Sequence, residues 1–176
     1  MTLAYSFNQP SYIMGKNQKG EINRALLMLN LPWLLFTWSI FRLQMLLSRE
    51  NRVDEIVPNH IYIGSRPLGG FDYGSYDLVV DLTAEFFKDD VESNRYICYP
   101  NLDAIALAQS YESVELFRNK KILVHCANGH GRSALFVARL LIDLELVENF
   151  EEGLALVKKH RPLAVPNTEQ KNLNYI

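Results

Sequence analysis

Cys126 and Arg132 stand six residues apart in the run Val124-His125-Cys126-Ala127-Asn128-Gly129-His130-Gly131-Arg132-Ser133. The apolar stretch Ile122-Leu123-Val124 before it reads as a buried strand. Ala134 to Val147 after it reads as a helix that is apolar almost all round and therefore buried. A strand, a tight loop with two glycines and a helix N-terminus make an anion cradle. Successive backbone N–H groups turn inward, and the helix dipole adds partial positive charge. An anion held there meets a sulfur from below and a guanidinium from the side. The planar fork of arginine matches two phosphate oxygens, which the point charge of lysine does not. The same amides and Arg132 favour Cys126 as a thiolate, the nucleophilic form of a thiol. A thiolate beside a bound phosphate lies in line with phosphorus.

The pattern His-Cys-x-x-Gly-x-x-Arg-Ser at His125 to Ser133 resembles the signature of the cysteine-based protein tyrosine phosphatase superfamily. The flanking sequence is most similar to the dual-specificity branch. The resemblance extends over about residues 56–176 and is strong at the loop. It implies a phosphomonoester hydrolase working through a cysteinyl-phosphate intermediate on Cys126. The substrate class it implies is a phosphoprotein, carrying phosphotyrosine and phosphoserine or phosphothreonine. Phosphate would be held by Arg132 and by the N–H groups of Ala127, Asn128, Gly129, His130, Gly131 and Arg132 itself. No metal or other cofactor is required, because Arg132 and the backbone supply the positive field.

The leaving oxygen needs a proton. In the family the donor is an aspartate on a loop before the helix that precedes the cysteine strand. Asp103, 23 residues before Cys126, fits that place, and it could also cap the helix that follows. Asp81, at the end of the strand Leu78–Asp81, is the second candidate. By resemblance, the Ser133 hydroxyl stabilises Cys126 as thiolate and as leaving group; a plain helix cap is its alternative. His125 supports the loop rather than transferring protons. His130 sits inside the loop, where it reaches the rim or faces solvent. Gln170 comes near the site if a last helix folds back. Some relatives pair the nucleophile reversibly with a cysteine placed like Cys98, whose alternative is a small buried apolar residue.

The elements that must position these groups follow the chain. His60–Ser65 alternates like a strand, Tyr76–Leu82 reads as a central strand, and Arg95–Tyr99 as a short one. Ala104–Arg118 reads as a helix, with Leu107, Tyr111, Val114 and Phe117 at helical spacing. Lys121–His125 feeds the loop. Glu151–His160 is a further helix, stopped by Arg161-Pro162. Pro166-Asn167-Thr168-Glu169 opens a last short helix to Tyr175. Alternating strands and helices predict an α/β fold, a central mixed sheet flanked by helices, with the phosphate loop between a central strand and a buried helix.

The chain has 176 residues and a net charge of −2, so nothing points to nucleic acid as its partner. Its two cysteines form no disulfide framework or zinc spacing, and a reactive thiolate needs a reducing compartment, which places the catalytic part on the cytoplasmic side. We divide it into an N-terminal extension, 1–52, and a catalytic domain, 53–176. The extension lacks a cleaved-signal pattern. Within 26–47, sixteen of twenty-two residues are apolar, close to the length that crosses a bilayer. Pro32 should break or kink it, and Arg42 and Gln44 sit near one end. The stretch is a transmembrane or re-entrant segment, an interfacial helix over about Trp33–Arg49, or a helix docked on the catalytic domain or a second copy. Membrane contact would make a phospholipid the alternative substrate. Because 127–131 contain no lysine or arginine, that lipid would carry a single phosphate. A phosphate-binding module without turnover is the further alternative. The sequence does not determine the oligomeric state.

Overall fold

The structure is a computed structural model that describes residues 14–67, 69–103, 111 and 113–166. Five strands form one sheet: β1 (Val53–Val57), β2 (Ile61–Ser65), β3 (Leu78–Thr83), β4 (Tyr96–Asn101) and β5 (Ile122–Cys126). Their order is β1-β2-β5-β3-β4; β1 runs antiparallel to β2, and the other neighbours are parallel. The sheet is therefore mixed, as expected. The cysteine strand β5 is its centre, with all five residues buried. A strand covered on both faces reads as an unbroken apolar run.

One face carries the main core. Ile61, Ile63, Val80, Val124 and Cys126 pack there against Ala134, Phe136 and Val137 of α2 (Arg132–Asp143) and Val157 of α3 (Phe150–His160). The other face is a smaller cluster of Tyr76, Val79, Tyr96, Cys98 and Leu123. Asn149 caps α3 by accepting from the N–H of Glu152.

Three local expectations are corrected. The helix expected to reach Val147 ends at Asp143. Glu145 adopts φ +60°, Leu146 N–H reaches the Leu141 carbonyl and Glu145 N–H reaches that of Ile142, which is a Schellman termination without its usual glycine. The helix expected over 104–118 does not run through its second half. Ser113 is extended and caps a separate single turn, Val114–Leu116, while residues 104–110 lie outside the described ones. Pro32 does not break the apolar stretch. Helix α1 (Arg24–Leu47) runs through it, and Pro32 is exposed, so the lost hydrogen bond falls where solvent reaches the backbone. Strand β1 adds to the expected elements, and a turn at Pro58-Asn59 joins it to β2. The expected helix over 167–175 and Gln170 lie outside the described residues.

The chain from Met14 to Leu47 packs against the C-terminal ends of the strands. The Lys16 ammonium is fully buried and donates to Asp81 at 2.6 Å and to the Thr83 carbonyl at 2.9 Å. The Gln18 carbonyl accepts the Cys98 N–H, covering part of edge strand β4. Helix α1 then crosses the top of the sheet. Leu34 and Phe41 are its buried residues, Phe41 packs on Phe86 at 4.8 Å, and the Trp38 indole donates to the Glu85 carbonyl.

Candidate active site

The loop from Cys126 to Gly131 joins β5 to α2. Gly129 has φ +74°, and a Cβ there would lie 2.5 Å from the Gly64 carbonyl, so no side chain fits. Three carbonyls of the loop are held. The Arg66 N–H donates to Ala127 O, and the buried Arg161 donates to Asn128 O at 3.0 Å and to Gly129 O at 3.1 Å. Arg161 is itself fixed by the Asp54 carboxylate and the Asn51 carbonyl. In a trans peptide the N–H opposes the C=O. Holding these three carbonyls outward therefore turns the N–H groups of Asn128, Gly129 and His130 inward. The Gly129 N–H indeed donates to Cys126 Sγ at 3.2 Å.

Arg132 opens α2 and is 1% exposed. Its Nη1 and Nη2 grip the Glu85 carboxylate at 2.9 and 2.7 Å, and Nη1 also donates to the Asn101 carbonyl. Burial alone would lower the pKa of Arg132; Glu85 first, then Asp103 and Cys126, raise it well above its ordinary value. It stays a cation. Its Nε has no hydrogen bond and lies 3.5 Å from Asp103 Oδ1. Glu85 thus holds one edge of the fork and leaves the Nε edge for an anion. Asp103 follows β4 through the buried Leu102, and its side chain is 69% exposed.

The structure brings Cys126, Arg132 and Asp103 to one place. It removes Asp81 as an acid. That carboxylate accepts from Lys16, from the Tyr96 hydroxyl at 2.7 Å, and from the N–H and hydroxyl of Thr83. Burial would raise it, but Lys16 beside it holds it well below the usual carboxylate range. His125 is buried and held below its ordinary pKa by that burial, against the pull of Asp81, so it is a neutral scaffold residue. Ser133 is buried with its hydroxyl unpartnered; no hydrogen bond joins it to Cys126. Of the two readings of Cys98, the structure fits the small buried residue and not the pairing with Cys126. β3 lies between β4 and β5, which sets the two strands about 10 Å apart. The two sulfurs also belong to opposite faces of the sheet. Disulfides need Cα atoms within about 7 Å. Burial, then Asp81, pushes the Cys98 thiol up to about 12.

Two loop side chains are held by the extension. Asn128 donates to Gln44 of α1 at 3.0 Å, and His130 bonds Glu50 at 2.7 Å. Beside the loop lies a cleft of about 300 Å³. Trp33, Phe36 and Ile40 of α1 form one wall; Glu85, Asp103 and Ala127 are among the residues opposite. Sequence reasoning missed Glu85 and read Arg161 as a helix stop. The loop motif carries no signal for either, because both act across long chain separations.

No protein-family model matches the sequence, and neither does any curated protein. Solved structures do match. Human DUSP28 is 17% identical with a TM-score of 0.54, over 68% of this chain and 88% of that one. A mouse putative dual specificity phosphatase is 18% identical with a TM-score of 0.52, over 70% and 86%. PTPMT1, solved in complex with PI(5)P, is 16% identical with a TM-score of 0.52, over 68% and 90%. At this identity the likeness concerns architecture, and by architecture the chain folds as the dual-specificity phosphatases do.

Proposed function

We propose that the chain is a phosphomonoester hydrolase working through a cysteinyl-phosphate intermediate. The observation that carries this is the convergence of a sulfur that accepts from the Gly129 N–H, a buried arginine whose Nε makes no hydrogen bond, and an exposed carboxyl group facing that Nε. In the first step the Cys126 thiolate attacks phosphorus. The S–P bond forms as the bond to the leaving oxygen breaks, and Asp103 gives that oxygen its proton. In the second step water attacks phosphorus, Asp103 takes a proton from it, and the S–P bond breaks to return the thiolate and release phosphate. Arg132 and the amides of the loop hold the equatorial oxygens, each donor contributing about 3 kcal/mol in the transition state. In this reading Ser133, which follows Arg132 at the start of the helix with its hydroxyl unpartnered, turns to stabilise Cys126 as leaving group. Cys126→Ser should abolish hydrolysis of a chromogenic phosphate ester; full activity in that variant would overturn the covalent mechanism.

We place the extension, 1–52, in the working unit with the catalytic domain, 53–176. Its Gln44 and Glu50 hold loop side chains, which supports that reading. A thiolate nucleophile requires reducing surroundings, so the catalytic domain belongs on the cytoplasmic side. For substrate, the pattern around Cys126 supports a dual-specificity protein phosphatase acting on phosphotyrosine and phosphoserine or phosphothreonine. The cleft favours the other reading, a lipid bearing one phosphate. Its lining is mostly aromatic and aliphatic, contains no lysine or arginine, and includes Glu85 and Asp103. A polyanionic headgroup or an acidic peptide would be repelled there.

A further inference from the structure

Helix α1 shows two unlike sides. Leu34, Phe41 and the Trp38 indole face the catalytic fold. The opposite side presents Leu29, Leu35, Phe36, Ile40, Leu43 and Leu47, all exposed, at helical spacing over about 27 Å. Among the described residues, eight of the twelve large apolar side chains that are exposed belong to this helix. Its charge is one-sided as well. No acidic residue occurs between Glu21 and Glu50, while Arg24, Arg42 and Arg49 do, all exposed. An apolar stripe edged only by cations complements an anionic lipid surface. It is a poor match for a second copy, whose stripe would bring like charges together. The stripe is also continuous with the site: Phe36 and Ile40 belong both to the exposed side and to the cleft beside Asp103 and Ala127.

Resting on the catalytic reading above, we infer that α1 lies in the plane of an anionic bilayer surface and delivers to the cleft a membrane lipid that ends in a single phosphomonoester. The apolar part of the lipid passes along Phe36 and Ile40, and the phosphate reaches the loop. The helix does not cross the bilayer in this arrangement. A span would strip Trp38, Phe41 and Gln44 from the loop and its neighbours, contacts that α1 makes over its last three turns.

The test uses the full chain. It should float with vesicles of phosphatidylcholine and phosphatidylglycerol, float weakly with phosphatidylcholine alone, and release in high salt. It should hydrolyse phosphatidic acid in those vesicles faster than a soluble phosphotyrosine peptide. The double variant Leu29→Glu/Leu47→Glu touches neither the cleft nor the loop. It should lose flotation and lipid hydrolysis by about tenfold or more, given the apolar burial withdrawn. Its rate on a small soluble phosphate ester should be unchanged. Absence of flotation, salt-resistant insertion, preference for the peptide, or a dimer that the double variant dissolves would each overturn the inference. Failure of the wild-type chain on the small ester would instead remove the catalytic reading. Activity on the ester without activity on the lipid would remove this inference alone.

Discussion

Helices α1 and α2 are both rich in apolar residues, and both border the loop that follows Cys126. α2 buries nine of its twelve residues under the sheet. α1 buries only Leu34 and Phe41 of its twenty-four. The apolar side chains of α2 stabilise the fold by leaving water. Those on the outer side of α1 are left uncovered by the fold and contribute nothing to the core. What α1 gives its own chain is two inward apolar anchors, Leu34 and Phe41, with Trp38 on the Glu85 backbone, Gln44 on Asn128, and a wall for the cleft. Apolar composition therefore has two meanings in one molecule, and the partner of each helix decides which applies.

The contrast can be broken most sharply at the core. Phe136→Ala, in α2, should cost about 3–5 kcal/mol in urea unfolding, since it empties space shared with Tyr99, Tyr111 and Phe117. Asp103→Asn leaves the packing alone and should lower kcat by roughly a hundredfold for an alkyl phosphate, and by much less for a leaving group that needs no proton. Equal losses on both esters would move the acid elsewhere. Arg161→Gln should weaken inhibition by vanadate about tenfold at a temperature where circular dichroism shows it folded, because the loop amides lose their alignment. A change in unfolding alone, with vanadate binding intact, would reduce Arg161 to a packing residue.

A smaller effect follows from pH. His125 and Asp81 are both held below their ordinary values in the folded chain. Below pH about 6.5 the unfolded state takes up protons that the native state refuses, first on histidine and then on aspartate. Stability is therefore full at neutral pH and falls with acidification, by up to about 1.4 kcal/mol per pH unit for one proton. Urea midpoints that stay flat from pH 7 to 5 would contradict the neutral, buried His125. The smallest effect belongs to α1. Leu47→Ala should change unfolding free energy by no more than about 0.5 kcal/mol.

The loop, β5, the start of α2 and Asp103 are legible in the sequence because their signals are contiguous. Cysteine, glycines and arginine at fixed spacing state a geometry that the chain can hold locally. Glu85 gives no such sign: it becomes the partner of Arg132 only when β3 lies beside β5, 47 positions away in the chain. Arg161 is visible as a helix end, yet its four acceptors come from Asn51, Asp54 and the loop, brought together by folding. β1 is hidden by its two acids and a bulge near Glu55, which blur the alternation of an edge strand. The end of α2 is hidden because glutamate, not glycine, takes the left-handed position. For α1, sixteen apolar residues in twenty-two read alike whether the helix spans, lies flat or docks.

The hairpin that carries Lys16 and Gln18 has a bearing on how this chain should be handled. It supplies the counter-ion to a sealed carboxylate and occupies part of the outermost strand. A shortened polypeptide, cut back to the motif-bearing portion, would lose both at once. It would expose a sticky β-margin and a stranded negative charge, and it should precipitate in the test tube even with every reactive group intact.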